Sequence, residues 1–436
     1  MTETPLLAPP SERSLRDRWF SPMKPGSLRM TTLFLVTSAT GAGFVSMPAA
    51  LKTSGLVGSI FLMIFAIFAL HESIVMTGKC YSVLGFTRYG QIANYLGGKR
   101  LEVFGHWIVI LSTIFSIMVH NVVLVDILAT VFYQIGLLKE MPDLEKVSDL
   151  FRIVSLTVVS FLQMFMIANA RSPGEMKRYA FISLSCLGGI IILLLSELPA
   201  YLETYWPNGE LNWGIGITSR TPRDLSLFMF SFSVSGNAII ATQNLYNATP
   251  RRLKKVSVLT NGYLAVIYAT ITILAYLSTL DQTPTIFLNR PPTPGLPEWP
   301  MQLARCGVML CLNSSNIGLF ASLRAGITQM RYHKSESFDI DSIKGDLLIQ
   351  DLITVISMTL LSLCFPQILT TLSLIGGSGG VILSTIPIFA GMKAEKLNWL
   401  RWKAAKYWFL VGISASLGFY TTIFDLMVYL GYLNEQ

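Results

Sequence analysis

The residues of this chain that could do chemistry lie inside apolar stretches. One stretch runs Thr37, Ser38, Ala39, Thr40, Gly41, Ala42, Gly43 and on to Pro48. Gly41 and Gly43 fall near the middle of an apolar run, and the proline beyond them resists continuation of a helix. A second stretch runs Phe230, Ser231, Phe232, Ser233, Val234, Ser235, Gly236, Asn237, with Gly236 near its midpoint. A helix broken at such a point exposes N–H groups at the start of one half and C=O groups at the end of the other. The first set suits a carboxylate and the second an ammonium group or a cation, and a zwitterion carries both charges. Thr40, Gly41, Ala42, Gly43, Ser233, Ser235, Gly236 and Asn237 are therefore candidate ligand-binding residues. The competing reading gives these small residues to close helix packing.

Other polar residues share this apolar setting. Asn313, Ser314, Ser315 and Asn316 form an unbroken polar run at the centre of an apolar segment. Their oxygens, with carbonyls freed at the first break, would suit a small hard cation; interhelical hydrogen bonding is the alternative. His120 and Asn121 lie mid-segment, with Asp126 nearly two turns on. An ionisable group within a membrane span is a functional candidate by default, because lipid solvates it poorly. His120 is a candidate for substrate contact or titration. Asp126 is a candidate for ion coupling, or a capping carboxylate at the outer mouth. His71, Glu72, Asp351 and Asp425 lie nearer segment ends and read as interfacial charges. The run from Gly376 to Gly380 is a hinge or a place of close helix approach. The five cysteines and four histidines show no metal or redox spacing. No nucleophile–base constellation or phosphate loop is present. Neither an enzyme nor a cofactor is expected, and sodium is the one metal ion under consideration.

The elements that must position these groups follow from composition. Of 436 residues, 52% are hydrophobic and 13% charged, and the mean hydropathy is +0.54. A soluble domain carries about 25% charged residues, so lipid must solvate much of this chain. Eleven apolar runs are long enough to span a bilayer: 30–50, 56–79, 103–136, 151–170, 178–198, 225–247, 256–280, 302–325, 346–364, 367–391 and 404–430. The polar, basic residues 1–29 read as a cytoplasmic tail and not as a cleavable signal. With the N-terminus inside, 25 of the 33 Lys and Arg residues fall on the cytoplasmic side, as the positive-inside rule requires. That accounts for the net charge of +8 without nucleic acid. The C-terminus is then expected outside, in the extracellular space or the lumen of a vacuole or lysosome.

Two broken helices that run in opposite directions, five helices apart, point to inverted repeats around a midplane site. The chain also resembles the amino acid/auxin permease family. The likeness rests on Gly41 to Gly55 with Pro48, on Tyr89 to Gly97, on Asn244 to Asn247 before a basic loop, and on Ile375 to Gly379 with Pro387. The resemblance implies an all-α, LeuT-like fold of eleven helices. Helices 1–5 (30–198) form one repeat, an outer loop follows (199–224), helices 6–10 (225–391) form the second repeat, and helix 11 spans 404–430. It implies a secondary amino acid transporter working by alternating access, with Thr40 to Gly43 and Ser233 to Asn237 holding the substrate's charged ends. Thr37 and Ser315 stand where sodium-coupled members often have Asn and Thr. Both keep an oxygen, so Thr37, Ser314, Ser315 and Asp126 are the ion-coupling candidates. His120 stands where Tyr is common, and Phe34 where proton-coupled members often carry His; the coupling ion stays open between proton and sodium. No acidic or basic residue sits in either break, which favours a neutral amino acid. The alternative reading is a non-transporting amino-acid sensor of an internal membrane.

Overall fold

The computed structural model describes residues 26–141, 149–169, 176–207, 209–291, 293, 297–331, 344–364, 375–397 and 402–429. The described residues form helices, turns and loops, with no strand among them. Most of the N-terminal tail, the first part of the run 367–391 and several of the expected loops lie outside the described residues.

Among the described residues, eight helices are long and apolar enough to cross a membrane, and a bent pair makes a ninth span. The bent pair is α1 (Leu28–Ala39) and α2 (Gly43–Ser54), which meet at 62°. Then come α3 (Leu56–Leu84) and α4 (Tyr89–Gln134). α4 is kinked where Gly98 takes φ +75°, a conformation open to glycine at little cost. α5 (Leu150–Asn169) and α6 (Met176–Tyr205) follow. The next span is again divided, into α7 (Thr221–Ser231) and α8 (Ser235–Asn244). α9 (Pro250–Thr279) and α10 (Trp299–Arg331) are continuous. Two shorter apolar stretches, 349–364 within α11 (Lys344–Cys364) and 378–394, fall below the length of a full span. The Gly-rich run expected as a hinge takes π-helical form over Ile375–Gly380 and leads into α12 (Val381–Ala394). α13 (Trp402–Tyr429) ends the described chain.

Burial separates the centre from the rim. The divided span 221–244 has 82% of its apolar window buried, against 28% for α6 and 33% for α13. α1 and α2 are buried along nearly their whole length. A helix apolar on every side and buried throughout belongs at the middle of a bundle, so the two interrupted spans form the core. α4, α9 and α10 pack around them, while α6 and α13 turn apolar side chains outward.

Candidate functional site

Between Ala39 and Gly43 the chain leaves α1 through Thr40 and Gly41 and re-enters a helix at α2. Between Ser231 and Ser235 it leaves α7 and enters α8. The first N–H groups of α8, at Ser235 and Gly236, and of α2, at Gly43 and Phe44, precede any carbonyl that a helix could offer them. The first helical bonds of α8 run from Asn237 and Ala238 back to Val234. Both breaks face one cavity of about 50 Å³, lined by Ser38, Ala39, Gly41, His120, Phe230, Ser233, Val234, Gly236, Asn237 and Ser322, with Ser112, Thr113 and Ser116 on another wall. That is room for a few waters. Gly380, at the end of the π-helical run, reaches the same space.

His120 closes one side. Its Nδ1 pairs with Asn316 Oδ1 at 2.6 Å, joining α4 to α10. Its Nε2 faces the first break so closely that a Cβ on Gly41 would meet it at 2.7 Å. Both His120 and Asn316 are buried. Tyr268 of α9 closes another side. Its hydroxyl donates to the Ala39 carbonyl at 2.7 Å, a group the break leaves without a helical partner. The ring of Tyr268 packs against Phe44 at 5.8 Å and Phe232 at 5.2 Å between centroids, so one aromatic side chain touches both broken spans. Asn237 Oδ1 accepts a hydrogen bond from Ser322 of α10.

The predicted residues divide into groups. Gly41, His120, Ser233, Gly236 and Asn237 line the cavity. Thr40 is buried with its hydroxyl bonded to the Val36 carbonyl at 2.8 Å, and Ala42 is buried without lining the cavity. Gly43 sits against Ser231, whose Cα would lie 2.9 Å from any Cβ placed there, so its smallness serves the contact between α2 and α7. The side chain of Ser235 lies outside the described residues. Thr37 and Ser314 line a second, smaller cavity with Ser38, Tyr179 and Gly318, and Ser315 Oγ reaches the Ser38 carbonyl at 3.5 Å. Asp126 lines neither cavity; it accepts from Asn289 of the segment between α9 and α10 at 2.7 Å.

Sequence reasoning missed Tyr268, Ser322 and the α4 hydroxyls. Ser112, Ser116 and His120 recur every four residues, which puts them on one face of a helix; that signal was available. Tyr268 carries no local signal, because what makes it matter is a carbonyl 229 residues away.

The family described as transmembrane amino acid transporter protein matches residues 24–427 of the chain. The chain belongs to this family. It is 26% identical over 274 residues to a Plasmodium falciparum (isolate 3D7) protein named "Putative amino acid transporter AAT1", covering 62% of this chain and 43% of that one. It is 22% identical over 336 residues to the protein of the same name in Plasmodium berghei (strain Anka), covering 73% of this chain and 52% of the other. The chain thus spans about half the length of the curated relatives it matches. Membership in a transporter family makes it an integral membrane protein and agrees with the apolar spans.

Proposed function

We propose that this member of the family is a secondary active transporter of neutral amino acids that works by alternating access. The observation that carries the reading is the meeting of two interrupted spans at one cavity. A substrate carboxylate finds the open N–H groups at the start of α8 and α2. Its ammonium group finds carbonyl oxygens at the end of α1 and the hydroxyl of Ser233 beside them. His120 offers Nε2 from the opposite wall; in its neutral form, with Nδ1–H donated to Asn316, that nitrogen accepts from the ammonium group. The cavity wall holds no carboxylate, lysine or arginine among the described residues, which favours a neutral side chain.

The proposed architecture is eleven spans with the N-terminus cytoplasmic and the C-terminus extracellular or lumenal. Residues 30–198 and 225–391 are inverted repeats of a LeuT-like fold, and helix 404–430 follows them. Coupling is to a proton or a sodium ion. Thr37, Ser314 and Ser315 stand beside the second cavity and the Ser38 carbonyl, a set of oxygens suited to sodium. His120 is the group in the main cavity suited to a proton. Asp126, tied to Asn289, is the weaker candidate for either ion.

The test is uptake of labelled neutral amino acids into proteoliposomes of the purified protein, with sodium and pH gradients imposed separately. Uptake driven by one gradient is the expected result and names the ion. Substrate binding with no uptake under any gradient would overturn transport in favour of the sensor.

A further inference from the structure

Six hydroxyl side chains line the main cavity, and they differ in where their hydrogens go. Ser38, Thr113 and Ser116 each donate to a carbonyl one turn back in their own helix at 2.7 Å, the usual fate of a hydroxyl inside a helix. Ser322 donates to Asn237 Oδ1, and Ser233 lies in the second break. Ser112 of α4 stands apart. It is only 8% exposed, it lines the cavity, and its hydroxyl has no partner among the described residues. One turn on, Ser116 has spent its hydrogen on the Ser112 carbonyl and keeps oxygen lone pairs with which to accept. The wall of α4 therefore presents an unused donor beside an unused acceptor, on the helix face that also carries His120.

Ser112 lies eight residues before His120, about 12 Å along the helix axis. Helical side chains lean toward the N-terminal end, here from His120 toward Ser112, and a hydrogen bond at either end takes up about 3 Å. A ligand whose amino group sits at His120 Nε2 thus meets Ser112 with its side chain, and only a short one fits the remaining gap. We propose, on the reading of this cavity as an amino acid site, that Ser112 selects the substrate's side chain. It favours neutral amino acids whose side chains end in a hydroxyl or a carboxamide over apolar ones of the same size. Both of these groups carry a donor and an acceptor, so they take the Ser112 hydrogen and give one to Ser116. An apolar side chain in the same place strands the Ser112 hydroxyl away from water, and that unmade bond is the discrimination.

Two pairs of amino acids matched in shape test this on the full chain: threonine against valine, and asparagine against leucine. Each is measured twice, as half-saturating concentration for uptake into proteoliposomes and for thermal stabilisation of the purified protein in detergent, which needs no transport. In the wild type the polar member of each pair should act at a concentration lower by about five- to tenfold. Ser112→Ala should bring each pair to within about twofold, and Ser112→Thr, which keeps the hydroxyl, should restore most of the preference. Valine and leucine acting as well as threonine and asparagine on the wild type would overturn the assignment, whether or not the variants fold. So would an unchanged preference in a Ser112→Ala protein that unfolds at the wild-type temperature. Polar preference in stabilisation with no uptake under any gradient would support Ser112 as the selecting residue and overturn transport. Neither stabilisation nor uptake with any of the four would overturn both.

Discussion

Three glycines that look alike in the sequence have different tasks in the structure, and substitutions separate them. Gly236 has open space beyond it, with nothing nearer than Val109 at 3.9 Å. Gly236→Ala should leave the unfolding temperature unchanged, whereas Gly236→Leu should fill the cavity and abolish uptake with little loss of stability. Gly41→Ala forces a methyl to within 2.7 Å of His120 Nε2, an overpacking of the kind that costs about 1–3 kcal/mol. The double variant Gly41→Ala with His120→Ala should recover most of that stability without recovering transport. Thermal unfolding in detergent and proteoliposome uptake, measured on the same preparations, check both statements. A stable, fully active Gly236→Leu protein would remove that residue from the site. The Gly-x-Gly pattern in the sequence locates the break but does not separate the roles of its members. Gly43 reads as a ligand contact until Ser231, from a distant segment, is found against it.

At the scale of the helices, the half-spans α2 and α7 are fastened to each other at both ends. Gly43 meets Ser231 near the breaks. At the far end Thr53 and Ser54 both donate hydroxyl hydrogen bonds to Asp224 Oδ2, the second at 2.5 Å. Asp224 is buried in the first turn of α7, where the helix dipole favours a carboxylate. Asp224→Ala leaves the buried Ser54 hydroxyl without its acceptor and Thr53 with the Ala50 carbonyl alone, and should destabilise the protein by about 1–3 kcal/mol. Asp224→Asn keeps a carbonyl oxygen in place and should cost less. Unfolding temperatures in the order wild type, Asn, Ala are expected, and an Ala variant as stable as wild type would break the idea of a clasp. Tyr268→Phe belongs here too. It keeps the ring between Phe44 and Phe232 but leaves the Ala39 carbonyl with the Gly41 N–H alone, so uptake should fall well before stability does. Both breaks were legible because Gly, Ser and Pro interrupt an apolar run locally. The clasp and the tyrosine were not, since each joins residues more than 150 positions apart.

Across the whole molecule, the long segment between α9 and α10 is the least legible part of the chain. Its six prolines between positions 284 and 300 mark it as a loop, and nothing in the residue types sets Arg290 or Arg305 apart from other loop charges. The structure instead seats the turn Phe287–Asn289 in the bundle, with Phe287 and Leu288 buried. Asn289 reaches Asp126 of α4, and Arg305 of α10 donates to the Leu288 carbonyl at 2.7 Å. Arg290 pairs with Glu197 of α6 and lies 3.8 Å over the Tyr201 ring. Three helices distant in sequence are thereby tied to one loop, which hydropathy could not reveal because it reads each residue alone. Both members of the Arg290–Glu197 pair are nearly inaccessible, and a buried pair is most costly when one half is removed, about 3–5 kcal/mol, because the remaining charge has no partner. Glu197→Leu alone should therefore destabilise strongly. Adding Arg290→Met should restore a large part of the loss, since no charge is then left buried. Additive losses in the four-member unfolding cycle would mean that the two side chains act separately and that the loop is held by its apolar residues. A strongly compensating cycle would make the ion pair the fastening that keeps this loop against α4, α6 and α10.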